Sequence, residues 1–288
     1  MTMRSIHEAR ESYAKSIADS AGIDNERLIA AFASVERENF LGDAPWMIFA
    51  GTLGTPMLTD DPRKLYQDVL VTLDGEKEIN NGQPSLHALC IAACAPAAGE
   101  TVVQVGAGTG YYSAILAKLV GPTGQVIAYE IETALAERAR HNLRHFKHVT
   151  VIAASATEGI PPKADVIYCS AGASHPPPEW LDALSIGGRL VIPLTTDAGY
   201  GCMFLMTRRG QTSYAAKVIA RVSFITCIGA RDDAEGRSLA EAYLTLEDSA
   251  VKSLHRGTAP DDTVWFAGNG WWLSTAEPDF NALKGQHP

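Results

Sequence analysis

The 288-residue chain has no apolar run approaching the roughly 20 residues that a bilayer crossing needs. Its opening stretch, MTMRSIHEARESYAKSIADS, has no apolar centre of the kind a secretory signal carries and is polar and charged instead. Both absences lead to the expectation of a soluble, cytoplasmic protein with no membrane partner. Cysteine is scarce: Cys90, Cys94, Cys169, Cys202 and Cys227 include no Cys-x-x-Cys pair, which argues against zinc motifs and disulfide frameworks. They read as buried free thiols, and no metal is expected. Positive charge is also short, with 24 Lys and Arg against 33 Asp and Glu for a net charge of −9. The basic residues are scattered and form no stripe to neutralise phosphates, so nucleic acid is not expected as a partner. Internal repeats and low-complexity tracts are absent.

What is present is a large apolar fraction, 46%, enough for one full core or a core with a smaller lobe. The part up to about Glu100 reads as helical, because NERLIAAFASVERENF places Leu28, Ile29, Phe32 and Val35 on one face at helical spacing. A Gly/Pro-rich turn region, GTLGTPM, follows. In INNGQPSLHALCIAACAP, Pro84 opens an apolar helix that ends by Pro96. Short β-branched runs then alternate with helical or loop stretches: Thr101 to Val105, Gln125 to Glu130, from Val149, Ala164 to Ser170, and Gly188 to Leu194. That alternation predicts a parallel sheet covered on both faces. Two apolar runs around Arg209-Gly210-Gln211 predict an antiparallel hairpin that closes the sheet. The segment SLAEAYLTLEDSAVKSLHRG reads as helix, and TVWFAGNGWWLS as a late strand or loop packed by its tryptophans.

Gly106, Gly108 and Gly110 follow a predicted strand and precede a helix, so the backbone can approach a ligand closely at the carboxyl edge of the sheet. The next strand ends in Glu130, whose carboxylate can accept both hydroxyls of a ribose. On spacing alone the choice lies between a nicotinamide dinucleotide and S-adenosylmethionine. The pyrophosphate pattern wants glycine at the sixth position of the turn, where this chain has Tyr111.

VGAGTGYYSAILAKL, YEIE, SATEGI, ADVIYCSAGASHPPPEWLDALSIGGRLVIPL and SVERENF, in this order apart from the last, which comes first, resemble the protein-L-isoaspartate (D-aspartate) O-methyltransferase family between about Leu28 and Phe224. The resemblance implies an α/β, three-layer, seven-strand methyltransferase fold of Rossmann-like type. The corresponding division is a helical part with an acceptor-side loop at 1–98, a cofactor-binding domain at 99–228 and an extension at 229–288. It implies S-adenosylmethionine as cofactor, with Gly106, Ala107, Gly108, Thr109, Gly110 and Tyr111 around the methionine part, Glu130 on the ribose and Ile131 beside it. Ser155 stands where the family usually has an aspartate facing the adenine. Upstream, the family reads Thr-Ile-Ser-(Ala/Gln)-Pro where this chain reads EINNGQPSLH, so Gly82 stands at the place of the family's serine. Asn80, Asn81 and Ser85 are the candidates to supply donors instead.

Methyl transfer from a sulfonium is mostly a matter of positioning. A carboxylate acceptor is already ionised at neutral pH and needs only orienting donors, whereas an alcohol, phenol or amine would need a base, for which His87 and His175 are the candidates. His87, in an apolar helix, reads first as a core histidine, and His175 begins a Pro-rich loop after a strand. The reading is an O-methyltransferase acting on a carboxylate, with a peptide, protein or small molecule as acceptor. Its rivals are a tailoring enzyme for a dedicated peptide or metabolite, a cofactor-binding protein without turnover, and, more distantly, a nicotinamide-dependent oxidoreductase.

Overall fold

A computed structural model of the chain describes residues 5–50, 54–159, 161–245 and 247–278. Part of the GTLGTPM turn region, Ile160 of SATEGI and residues 279–288 of the C-terminal extension lie outside the described residues. The chain forms two compact units, one ending at Ala154 and the other beginning at Ser155.

The first unit opens with α1 (Ile6–Ser20) and α2 (Glu26–Ser34). A capping box starts α1: the Ser5 hydroxyl accepts the Glu8 N–H, and the Glu8 carboxylate accepts the Ser5 N–H. Asn25 caps α2 through the N–H of Leu28. Leu28, Phe32 and Val35 are buried and Ile29 is half-buried, as their spacing predicts. The helical reading of this region then fails. Strands β1 (Trp46–Phe49), β2 (Met57–Thr59), β3 (Leu70–Asp74) and β4 (Ile79–Asn80) form an antiparallel sheet in the order β2-β1-β3-β4. Strands of two to five residues are too short for alternation to declare itself, and what fixes them is burial of Ile48, Val69 and Val71 with Leu41 and Leu65 in one apolar cluster.

Pro84 opens α3 (Pro84–Cys94) as expected. The alternating part follows as β5 (Thr101–Val105), α4 (Tyr111–Val120), β6 (Gln125–Tyr129), α5 (Thr133–Asn142) and β7 (Val149–Ile152). β5 pairs with β6, and β6 with β7, all parallel. Nine of the ten residues of α4 are buried, which is why its sequence is apolar around the whole helix.

In the second unit, β8 (Ala164–Cys169) runs parallel to β9 (Leu184–Thr195), with α6 (Pro178–Ala183) between them in sequence. β9, β10 (Tyr200–Arg208) and β11 (Ser213–Ser223) are antiparallel neighbours, and the N–H groups of Arg209 and Gly210 close the expected hairpin on the Ser213 carbonyl. The tail then departs from its reading as one helix. α7 (Asp233–Thr245) ends early, and β12 (Ser253–Arg256) pairs with β11 at Ser213–Ala215. A strand forms there because Leu254 is buried in a segment paired on both sides, by β11 and by β14, a tertiary demand that overrides local helix preference. β13 (Val264–Ala267) and β14 (Trp271–Ser274) complete the edge as a hairpin, with β14 on β12, and Trp265, Trp271 and Trp272 are buried. The five cysteines are free and buried, as the sequence predicts. No helix among the described residues is long and apolar enough to cross a membrane.

Candidate active site

The loop after β5 is built from three left-handed glycines: Gly106 has φ 75°, Gly108 56° and Gly110 94°. The N–H groups of Gly106 and Ala107 both donate to the Tyr129 carbonyl at 3.0 Å, which ties the loop to the end of β6. Directly after β6, the Glu130 carboxylate accepts the Gly108 N–H on Oε2 at 2.6 Å and the Glu132 N–H on Oε1 at 2.9 Å. Burial pushes the Glu130 pKa up, against these backbone hydrogen bonds. Each carboxylate oxygen keeps further acceptor capacity, which suits two ribose hydroxyls. Ile131 is 39% exposed and presents apolar surface beside that carboxylate.

The loop residues divide by role. Gly108 is favoured by its left-handed backbone, and a Cβ there would lie 3.3 Å from Leu73 Cδ1, which would have to yield slightly. A Cβ on Gly110 would lie 2.7 Å from Leu143 Cδ1, which makes Gly110 a helix-packing glycine against α5. Ala107 and Thr109 are buried, and Asn142 Nδ2 donates to the Thr109 carbonyl at 3.0 Å. The side chain of Tyr111 is taken up in packing. Its hydroxyl lies 3.2 Å from that of Tyr13, and its ring packs edge-on against Phe32, Phe40 and Tyr112. An aromatic at a helix start with N-terminal helices to pack against buries its ring there.

The acceptor-side loop runs from β4 into α3. Asn80 is exposed, and its Oδ1 accepts the Gly82 N–H at 2.9 Å, a turn-forming bond. Asn81 is 8% exposed; its Oδ1 accepts from the Val71 N–H at 2.9 Å and from Arg37 at 3.3 Å. These two donors fix the amide orientation, and its Nδ2 is buried without a hydrogen-bond partner. Ser85 differs from its expected role as a free donor: its N–H and its hydroxyl both donate to Asp68, at 2.8 and 2.6 Å, and Gln83 Nε2 donates to the same carboxylate at 2.8 Å. Asp68 thereby caps the start of α3.

Three residues of this region carry roles that the sequence did not disclose. Arg37, within SVERENF, is fully buried and donates to the carbonyls of Leu65, Gln67 and Val69 as well as to Asn81. Tyr112 donates its hydroxyl to the Gly82 carbonyl at 3.2 Å and stacks on His87 at 3.7 Å between ring centroids. Asp68 gives no periodic or motif signal at all. Arg37 stands between Glu36 and Glu38, a charged setting that gives no cue to its burial.

Ser155 and His175 lie in the second unit. The Ser155 hydroxyl donates to the Ile228 carbonyl at 3.2 Å and lies 2.8 Å from the Thr157 hydroxyl, so it fastens the segment before Gly229. His175 Nδ1 lies 3.1 Å from Glu235 Oε2 and 3.1 Å from the Ser174 hydroxyl. Glu235 also accepts the Asn269 N–H at 2.6 Å and the Trp271 indole N–H at 3.2 Å. Burial opposes the ionised form of Glu235, but hydrogen bonds from His175 and Asn269 outweigh it and hold the pKa low. His175 therefore anchors the tail hairpin rather than standing as an unengaged base. Among the described residues no group of His, Cys, Asp and Glu side chains is placed to hold a metal ion.

The family model of protein-L-isoaspartate(D-aspartate) O-methyltransferase matches residues 10–232. The chain is similar to the protein-L-isoaspartate O-methyltransferase of Ignicoccus hospitalis, 33% identical over 57% of this chain and 78% of that one. It is also similar to that of Methanothermobacter thermautotrophicus, 26% identical over 77% of this chain and 96% of the other. Among solved structures, a protein-L-isoaspartate O-methyltransferase superposes with a TM-score of 0.65 at 24% identity, over 83% of this chain and 70% of that one. A putative one from Plasmodium falciparum in complex with S-adenosyl-L-homocysteine superposes with a TM-score of 0.61 at 18% identity, over 76% and 98%. The family match ends at residue 232, before β12 to β14. The chain belongs to the protein-L-isoaspartate (D-aspartate) O-methyltransferase family and is an S-adenosylmethionine-dependent methyltransferase.

Proposed function

We propose that this enzyme methylates the isoaspartyl carboxylate of a damaged peptide or protein, and that it does so in the cytoplasm. The observation that carries the acceptor reading is the buried Nδ2 of Asn81, a donor without a partner in a loop whose Gln83 and Ser85 side chains are both engaged by Asp68. Leaving a buried donor unpaired costs about 1–3 kcal/mol, and a carboxylate oxygen is the acceptor that removes that cost most fully. The five buried free thiols support a reducing compartment.

The residues of the first unit fit the cofactor. Gly106 and Gly108 give close backbone approach, Glu130 offers acceptors for the ribose, and Ile131 offers an apolar surface for the adenine. S-adenosylmethionine, when bound, supplies a methyl group as an electrophile, and a carboxylate can accept it without giving up a proton. Orientation and exclusion of water are then what the chain contributes, and Arg37 holds Asn81 in place for the first.

Incubation with labelled S-adenosylmethionine and an aged, deamidated protein tests the reading: carboxyl methyl esters release labelled methanol at alkaline pH, whereas N- and S-methyl groups do not. Asn81→Asp keeps the acceptor atom for Val71 and Arg37 but turns the free donor into a second carboxylate oxygen. It is expected to raise KM for an isoaspartyl peptide about tenfold or more while leaving stability intact. An unchanged KM would remove Asn81 from the acceptor site.

A further inference from the structure

We propose that the β3–β4 hairpin is a strap on the cofactor crevice, latched by the ion pair of Lys77 with Glu132, and that this latch sets how fast S-adenosylhomocysteine leaves. The proposal rests on the reading of Glu130 as the carboxylate that holds the ribose. Glu130 is tied through its two oxygens to the N–H groups of Gly108 and Glu132. The hairpin touches both of those partners. Leu73, in β3, places its Cδ1 3.3 Å from where a Cβ on Gly108 would stand, and Lys77, in the turn, pairs with the Glu132 carboxylate. Arg138 of α5 adds a third tie by donating to the Leu73 carbonyl at 3.4 Å. A molecule held by Glu130 therefore sits beside a hairpin fastened to both neighbours of that carboxylate.

The base of the hairpin and its tip are held differently. At the base, the Asn81 N–H donates to the Val71 carbonyl at 3.0 Å and its Oδ1 accepts the Val71 N–H at 2.9 Å, while Leu73 packs on the apolar cluster that contains Leu41, Ile48 and Val71. The tip, Gly75 to Glu78, is exposed, and Asp74 Oδ1 closes its turn by accepting the N–H groups of Glu76 and Lys77. Glu78 has φ 56°, a left-handed backbone that a residue with a side chain adopts only at a cost. Asp74, Glu76 and Glu78 give this segment three negative charges, and Lys77 is the cation among them. Without Lys77 the tip would bring carboxylates to Glu132 with nothing to offset their repulsion. The side chains of the pair are 53% and 27% exposed, and an ion pair so open to water is weak. That strength suits a strap that opens and closes with each exchange of cofactor, on a base that stays put.

The test uses the full chain and S-adenosylhomocysteine. Lys77→Gln is expected to speed dissociation of S-adenosylhomocysteine, read by stopped-flow displacement, about threefold to fivefold. Glu132→Gln is expected to do the same, and the double variant to be no faster than either single one, because both substitutions break one pair. In the wild-type protein, amide hydrogen exchange at Glu76, Lys77 and Glu78 is expected to slow when S-adenosylhomocysteine binds, and Lys77→Gln is expected to lose most of that protection. Unchanged dissociation in both single variants, effects that simply add in the double variant, or exchange at the tip that ignores the ligand overturns this inference alone, provided binding still depends on Glu130. Binding that Glu130→Gln leaves unaltered overturns the ribose reading and this inference with it.

Discussion

Glu130 Oε2 accepts the backbone N–H of Gly108 at 2.6 Å, so the carboxylate after β6 and the middle glycine of the loop after β5 hold each other in place. The same carboxylate holds the Glu132 N–H through its other oxygen. Glu130→Gln puts an amide donor against one of these N–H groups and removes the charge from the remaining bonds. It is expected to weaken S-adenosylmethionine binding by about 1–3 kcal/mol, read by calorimetry. An unchanged Kd would place the ribose away from Glu130.

Arg37 is a buried cation whose guanidinium donates to three carbonyls and one amide oxygen, and the buried Asn81 amide hangs from it. Arg37→Met leaves those acceptors unpaired and is expected to cost about 3 kcal/mol or more in urea unfolding. Arg37→Lys is expected to recover only part of that, because a point charge does not reach acceptors spread over a planar fork. A loss under about 1 kcal/mol for Arg37→Met would contradict the network.

His87 gives stability a pH dependence of known sign. Its pKa falls from 6.5 to about 3 on folding, chiefly through burial and then through Arg37. Between those values the unfolded chain takes up a proton that the folded chain refuses. The contribution is fully present above pH 6.5 and is lost as pH falls towards 3, at up to about 1.4 kcal/mol per pH unit. His87→Gln is expected to remove this slope, so the stability gap between wild type and variant changes by roughly 2 kcal/mol between pH 7 and pH 5. An unchanged gap would mean that the ring titrates as an exposed histidine does.

Glu235 joins His175 to the turn of the tail hairpin through the Asn269 N–H and the Trp271 indole. Glu235→Ala is expected to speed amide hydrogen exchange in β13 and β14 and to lower stability by about 1–3 kcal/mol. Unaltered exchange there would assign the hairpin's order to its buried tryptophans alone.

The alternating strands, the glycine turn and Glu130 were legible in the sequence because they rest on local period and fixed spacing. The small antiparallel sheet was not, since a strand as short as Ile79–Asn80 is defined by its partner. Asn80, Asn81 and Ser85 were found as polar residues near Pro84, but whether each is free depends on Asp68 and Arg37, which pair with them across 17 and 44 residues. The packing of the Tyr111 ring was not legible for the same reason: its partners Tyr13, Phe32 and Phe40 come from the N-terminal helices.

The most direct test of the central claim is labelled methyl transfer from S-adenosylmethionine to an isoaspartyl peptide, with its aspartyl twin as control and cofactor binding measured on the same preparation. The account predicts base-labile label on the isoaspartyl peptide and none on the aspartyl one. Cofactor binding at the glycine loop with no label on either peptide would contradict it.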